Sequence, residues 1–334
     1  MTYSSLQVIE AVDYNGFANN TVGANVNSIW GAGTTDRGYG QATTLATVTQ
    51  NISDVAALQW SNLNNRITSL ASHQGTTITS RTNPVVGDVI GILSALNTDL
   101  TNCTTNRGNA AASGTTSSTW TGSTAKTAVT GSGQAAWTIT WTHVVTFPSA
   151  DQARYFWNAG GLVRLDMNKS GGATDADPDW NTFVGTVGAL FISGRVNGAS
   201  QTIAGTTYTG FTRSGGSGTP LPNATTTGWY TLVAGAAATT MFQLNSAVAP
   251  YSGNFIRVTA AVNAGRTTLT LVTTWSSSGT AVAGSTANIS GGTDTASPYV
   301  SFGTAPAVLC RFVPPSTAAL TNTWGTPSIA ASFV

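Results

Sequence analysis

Three aspartates at alternate positions, Asp175, Asp177 and Asp179, form the densest set of potential metal ligands in the chain. Carboxylates at positions 1, 3 and 5 open the oxygen-lined loops that hold Ca²⁺. Here the sixth position is Trp180, where such a loop needs glycine for its turn, and the twelfth is Thr186, which carries no charge. A helix start accounts for the same residues more fully. Asp177 serves as N-cap, Pro178 takes the first helical position, where its missing N–H costs nothing, and Asp179 faces the positive end of the helix dipole. No metal and no cofactor is expected, with Asp175, Asp177 and Asp179 as the calcium candidates.

Acid–base or nucleophilic chemistry has little to build on. His73 ends a helical stretch before Gln74 and Gly75, where an imidazole suits the helix C-terminus. His143 lies in an alternating strand and is expected at a solvent-facing or edge position. Neither has a G-x-S-x-G elbow nearby. Hydrolysis by paired carboxylates would have to draw on the eleven aspartates, because Glu10 is the single glutamate. Those aspartates read as caps and turns, so no catalytic residue is assigned and the chain is not read as an enzyme. Cys103 and Cys310 have no metal-ligand spacing and are expected to stay reduced. Trp120, Trp137, Trp141, Trp229, Trp275 and Trp324 could stack on sugar rings if two were exposed side by side, but core or subunit contact is the expected use. Arg154, three residues after Asp151 on one helical face, and Arg164 are expected to be structural or interfacial.

The elements that must position these residues fall into three stretches. Residues 1–45 read as an adaptor, with an irregular helical stripe of Tyr14, Phe17, Val22, Val26 and Ile29 followed by the glycine-dense loop GAGTTDRGYGQ. Residues 46–112 carry two helices. Behind an N-cap at Ser53, Ala56, Trp60, Leu63, Ile67 and Leu70 are spaced 4, 3, 4, 3. Behind Asn83 and Pro84, Val86, Val89, Leu93, Leu96, Leu100 and Cys103 are spaced 3, 4, 3, 4, 3. Both are short heptad seams. They either close on each other as a helical hairpin or pack between subunits as a short coiled coil. In the second case Trp60, Leu63, Ile67, Leu70, Val89, Leu93, Leu96 and Leu100 form the assembly interface.

Residues 113–334 open with a small-residue linker and then alternate as strands do, at Ala136–Phe147, Trp229–Val233, Met241–Leu244, Phe255–Val262 and Thr267–Trp275. Ser297–Phe302, Val308–Val313 and Ile329–Val334 are further candidates. Within this stretch Ser149 caps a helix bearing Tyr155, Phe156 and Trp157. Gly160 and Gly161 stop it, and a strand leaves from Leu162. The fold class is mainly β with an α-helical N-terminal region: a β-sandwich, jelly-roll-like in strand number, with short helical insertions.

The chain of 334 residues is 7% charged with a net charge of +1, against about 25% charged in ordinary domains. It has no basic run to mark a nucleic-acid or anionic-membrane partner and no apolar run of the roughly 20 residues a membrane span needs. MTYSSLQVIEAVDYNG has neither a basic nor an apolar region of a secretory signal, so synthesis in a cytoplasm without recognisable export is expected.

The run FPSADQARYFWNAGG, with the strand, glycine pair and DPDW helix that follow it through Phe183, resembles a group of tailed-bacteriophage virion structural proteins of the tail-fibre-like or appendage type. RGYGQ at 37–41 and ALQWSNLNNRI…HQG at 57–75 carry the resemblance further. It implies a non-enzymatic virion component, assembled in the host cytoplasm and docking to other virion proteins as a homo-oligomer, a trimer being favoured. Two further roles stand beside this expectation: a capsid decoration protein, and a module that recognises a host surface glycan.

Overall fold

Every second residue of Phe255–Val262 and Thr268–Ser277 is buried, so each of these strands has one face in a core and one turned out. They are central strands of the β region of a computed structural model that describes residues 11–19, 25–49, 55–86, 93–112, 121–122, 137–171, 177–194, 200–247, 251–278 and 304–334. The described residues form twelve strands: β1 (Thr121–Gly122), β2 (Trp137–Thr146), β3 (Leu162–Ser170), β4 (Ala189–Ile192), β5 (Gln201–Ile203), β6 (Thr206–Tyr208), β7 (Phe211–Ser214), β8 (Thr239–Asn245), β9 (Phe255–Val262), β10 (Thr268–Ser277), β11 (Thr304–Val313) and β12 (Ser328–Phe333). The six helices are α1 (Ala11–Asn19), α2 (Val26–Trp30), α3 (Ala57–Gln74), α4 (Leu93–Thr105), α5 (Ala150–Asn158) and α6 (Asp177–Val187).

Two five-stranded antiparallel sheets, ordered β1-β11-β3-β4-β7 and β12-β2-β10-β9-β8, make the expected sandwich, with β5 and β6 as a separate hairpin. Their inner faces share one apolar core that includes Val163, Leu165 and Cys310 from the first sheet and Trp141, Val258, Leu271 and Trp275 from the second. Phe211 of β7 meets Phe242 of β8 across the layers at 6.0 Å. α6 is anchored as its aromatics suggest, with Trp180 stacked on Trp275 at 5.9 Å and Phe183 beside it. The β5–β6 hairpin covers part of the first sheet's outer face, where Ile203 packs with Leu162, Phe191 and Val313. The run Trp229–Val233 is not a strand. The N–H groups of Thr231 and Leu232 bond back to the Gly228 carbonyl at 3.1 and 3.0 Å, closing turns instead.

In the helical region Tyr14 and Phe17 of α1 pack on Trp60 of α3 at 5.7 and 6.4 Å. Trp60, Leu63, Ile67 and Leu70 are 0–2% exposed, and Leu96, Leu100 and Cys103 of α4 are 0% exposed. These seam residues are therefore covered within a single chain, while Ala56 just ahead of α3 is exposed. A side chain already enclosed offers no area to a second subunit, so for Trp60, Leu63, Ile67, Leu70, Leu96 and Leu100 the burial favours the helical hairpin of the two expected arrangements. Val89 lies outside the described residues, as does the side chain of Leu93. Val86 leaves the seam altogether at 95% exposure. Asn83 does not cap a helix: it bonds Asn65 in α3 at 2.9 Å, and the chain from Thr76 to Val85 is irregular. That segment is tied to α4 by the ion pair of Arg81 with Asp99, whose side chains are 5% and 4% exposed. Ser53 also lies outside the described residues. Among them no helix is long and apolar enough to cross a membrane.

Candidate functional site

α5 begins where the sequence places it. The Ser149 hydroxyl accepts the Gln152 N–H at 3.1 Å, and the helix ends ahead of Gly160, whose φ of +92° turns the chain into β3 at no steric cost. One side of α5 faces the sandwich. Phe156 and Trp157 are fully buried and meet Phe147 at 5.3 and 5.8 Å, while Trp157 stacks on Trp229 at 5.4 Å. Arg154 pairs with Asp151 at 3.0 Å, as their spacing suggests.

The other side of α5 holds the loop that follows α2. Arg154 donates to the carbonyls of Ala32 and Arg37, the latter at 2.9 Å. Asn158 donates through Nδ2 to the Gly38 carbonyl at 3.0 Å, and its Oδ1 accepts the Tyr230 hydroxyl at 2.5 Å. Gly40, with φ of +70°, lies so close to Tyr155 that any Cβ there would overlap the ring. Gln41 reaches the C-terminal segment, giving Nε2–H to the Thr321 carbonyl at 3.0 Å and accepting the Thr321 N–H at 2.9 Å.

Tyr39 stands at the centre of this loop, 0% exposed. Its hydroxyl donates to the Arg107 carbonyl at 2.7 Å and accepts from Gln74 Nε2 at 2.8 Å. Its ring lies edge-on to His73 at 5.1 Å. His73 in turn gives its Nε2–H to the carbonyl of Ala159 at 3.1 Å. So His73 does not cap its own helix, which ends on the Gly75 N–H bonded to Ala71; it ties α3 to the end of α5. Burial holds its imidazole down to about 4. Burial likewise pushes the Tyr39 and Tyr230 phenols well above their ordinary value. These groups are neutral near neutral pH and each is bonded to a group on another segment, an arrangement suited to holding elements together.

Beside this node, Arg107 pairs with Asp36 through Nε at 2.9 Å, and Gln201 bonds the Trp157 and Gly108 carbonyls at 3.1 and 3.2 Å. The crevice they share with Asn158 and Tyr230 has a volume of about 30 Å³, room for water and not for an organic ligand.

The remaining sequence candidates are dispersed. His143 is 0% exposed, not at a surface or edge. Positions 139, 141, 143 and 145 have one parity, so strand alternation turns His143 inward with Trp141, opposite Leu271 of β10. Asp179 is 4% exposed in the first turn of α6, which starts at Asp177 itself. Asp175 and the Asp177 side chain lie outside the described residues, and among those described no three metal-ligand side chains gather. Asp36, Asp99, Asp151 and Asp166 each pair with an arginine. Trp141, Trp229, Trp275 and Trp324 are 0–1% exposed, which removes them as a sugar-stacking platform; Trp120 and the Trp137 side chain lie outside the described residues. Both cysteines are buried and free, and burial raises both thiols.

Tyr230 and Gln201 were not legible as site residues, since isolated amides and phenols carry no spacing signal. Tyr39, Gln41, His73, Gln74 and Asn158 had one signal, their places within RGYGQ, HQG and FPSADQARYFWNAGG. Set against models of known protein families, curated proteins and solved structures, the chain matches none.

Proposed function

We propose that the protein is a non-enzymatic structural component of a tailed-phage virion, of fibre or appendage type, acting by assembly with copies of itself and with other virion proteins. The observation that carries this reading is the convergence of the three segments on which the phage resemblance rests. RGYGQ supplies Tyr39, Gly40 and Gln41; HQG supplies His73 and Gln74; FPSADQARYFWNAGG supplies Arg154, Tyr155, Asn158 and Ala159. They lie far apart in sequence and bond to one another in a single buried node. A shared pattern whose residues brace a fold, with the histidine and phenols neutral, fits a load-carrying part better than a catalyst.

With the helical seam filled inside the chain, subunit contacts fall to outer surfaces. One suited to this is the outward side of the second sheet, where Thr138, Thr140, Thr142, Thr268, Thr270 and Thr274 leave hydroxyls and methyls without charge on β2 and β10. Covering a hydroxyl costs less than covering a charge, and least where it finds a hydrogen-bond partner across the contact. The test is to raise antibodies to the purified protein and probe tailed-phage particles banded on a density gradient. The protein is expected to band with the particles and to resist a salt wash. Recovery only in the soluble fraction would overturn the proposal.

A further inference from the structure

A cleft of about 330 Å³ opens at the start of α5, lined by Thr35, Asp151, Arg154, Trp229, Tyr230 and Arg266. Its volume lies at the lower end of the range for small-ligand sites, roughly 300–1,000 Å³. Three described non-glycine residues have positive φ, and two of them, Thr35 at +53° and Arg266 at +48°, stand in this lining. Such backbone is uncommon outside glycine and gathers where a fold holds residues for a purpose.

Arg266 sits in the β9–β10 turn and reaches back to donate to the carbonyls of Trp229 and Leu232 at 3.0 and 2.9 Å. These bonds fix its guanidinium and occupy two of its five N–H groups. Arg154 is fixed in the same way by the carbonyls of Ala32 and Arg37 and by Asp151. Trp229 behind the cleft is 1% exposed, with Trp157 stacked on it and the Arg266 guanidinium 5.9 Å from its ring centre, so the aromatic surface left to the cleft is that of the half-buried Tyr230. Two pre-positioned guanidinium groups against one carboxylate leave the cleft a net positive charge, beside an aromatic wall and the Thr35 hydroxyl.

We infer that this cleft binds a small carboxylate-bearing ring, of the size and chemistry of a single sugar acid. The carboxylate pairs with the N–H groups left on Arg266 and Arg154, and the ring rests against the half-buried Tyr230. The inference uses none of the residues offered above as subunit contacts, so it stands or falls separately from the virion reading.

The test titrates the full chain with D-glucuronate, D-glucose and acetate by calorimetry. Glucuronate is expected to bind saturably, acetate more weakly, and glucose not at all. Asp151 is 71% exposed, so Asp151→Asn leaves the fold intact; removing its charge is expected to tighten glucuronate binding about threefold. Arg266→Gln is expected to weaken it about tenfold. No saturable binding of glucuronate by either wild type or Asp151→Asn would overturn the inference, as would binding that neither substitution alters. Equal affinity for acetate would overturn the assignment to a sugar acid.

Discussion

The imidazole of His73, in the last turn of α3, donates to the carbonyl of Ala159, 86 residues later at the end of α5, across 3.1 Å. This bond joins the helical region to the sandwich through a group whose protonation is suppressed by burial. Between the ordinary histidine value of 6.5 and the folded value of about 4, the unfolded chain binds a proton that the folded chain refuses. The stability contributed by the neutral ring is therefore whole above the ordinary value. It declines as pH falls through that window and is gone below it.

The expected size of that loss is roughly 3 kcal/mol, read as a fall in the urea midpoint between about pH 7.5 and about pH 4. His73→Gln keeps a donor for Ala159 and has no proton to gain, so its midpoint should fall less across the same range. A His73→Gln profile as steep as wild type would assign the acid sensitivity to other groups.

Gly40 meets two demands at once: a φ of +70° and contact with the Tyr155 ring at a distance no Cβ fits. Gly40→Ala is expected to cost about 2–4 kcal/mol, measured by denaturant unfolding. Tyr155→Ala should recover only part of that cost in the double variant, because the backbone strain remains. Full additivity of the two substitutions would show that the ring and the glycine do not press on each other.

Ile67 is 0% exposed in the seam of α3. Ile67→Ala is expected to cost about 2–5 kcal/mol of unfolding free energy through the cavity it leaves. Because the seam is closed within one chain, that loss should not vary with protein concentration. A loss that shrinks on raising the concentration would return the seam to a subunit interface.

Much of this architecture was legible because local rules have local causes. The heptad spacings marked the buried faces of α3 and of the described part of α4. Ser149, Gly160 and the aromatics between them marked α5, and the alternation in residues 137–147 and 255–275 marked the central strands. These signals survive because each depends on residues a few positions apart.

What only the tertiary structure decided is who covers whom. A heptad seam looks the same whether its partner is another helix of the chain or another subunit, since both remove the same apolar area from water. The burial of Trp141 and Trp275 came from the shared core and from α6 laid over Trp275, and that of Trp229 from Trp157 and Phe147 packing on it. The node around Tyr39, His73, Asn158 and Tyr230 is held by single hydrogen bonds between residues far apart in sequence, 72 positions for Tyr230 with Asn158 and 86 for His73 with Ala159. Such bonds follow from where the backbone brings donor and acceptor, and composition or periodicity carries no trace of that.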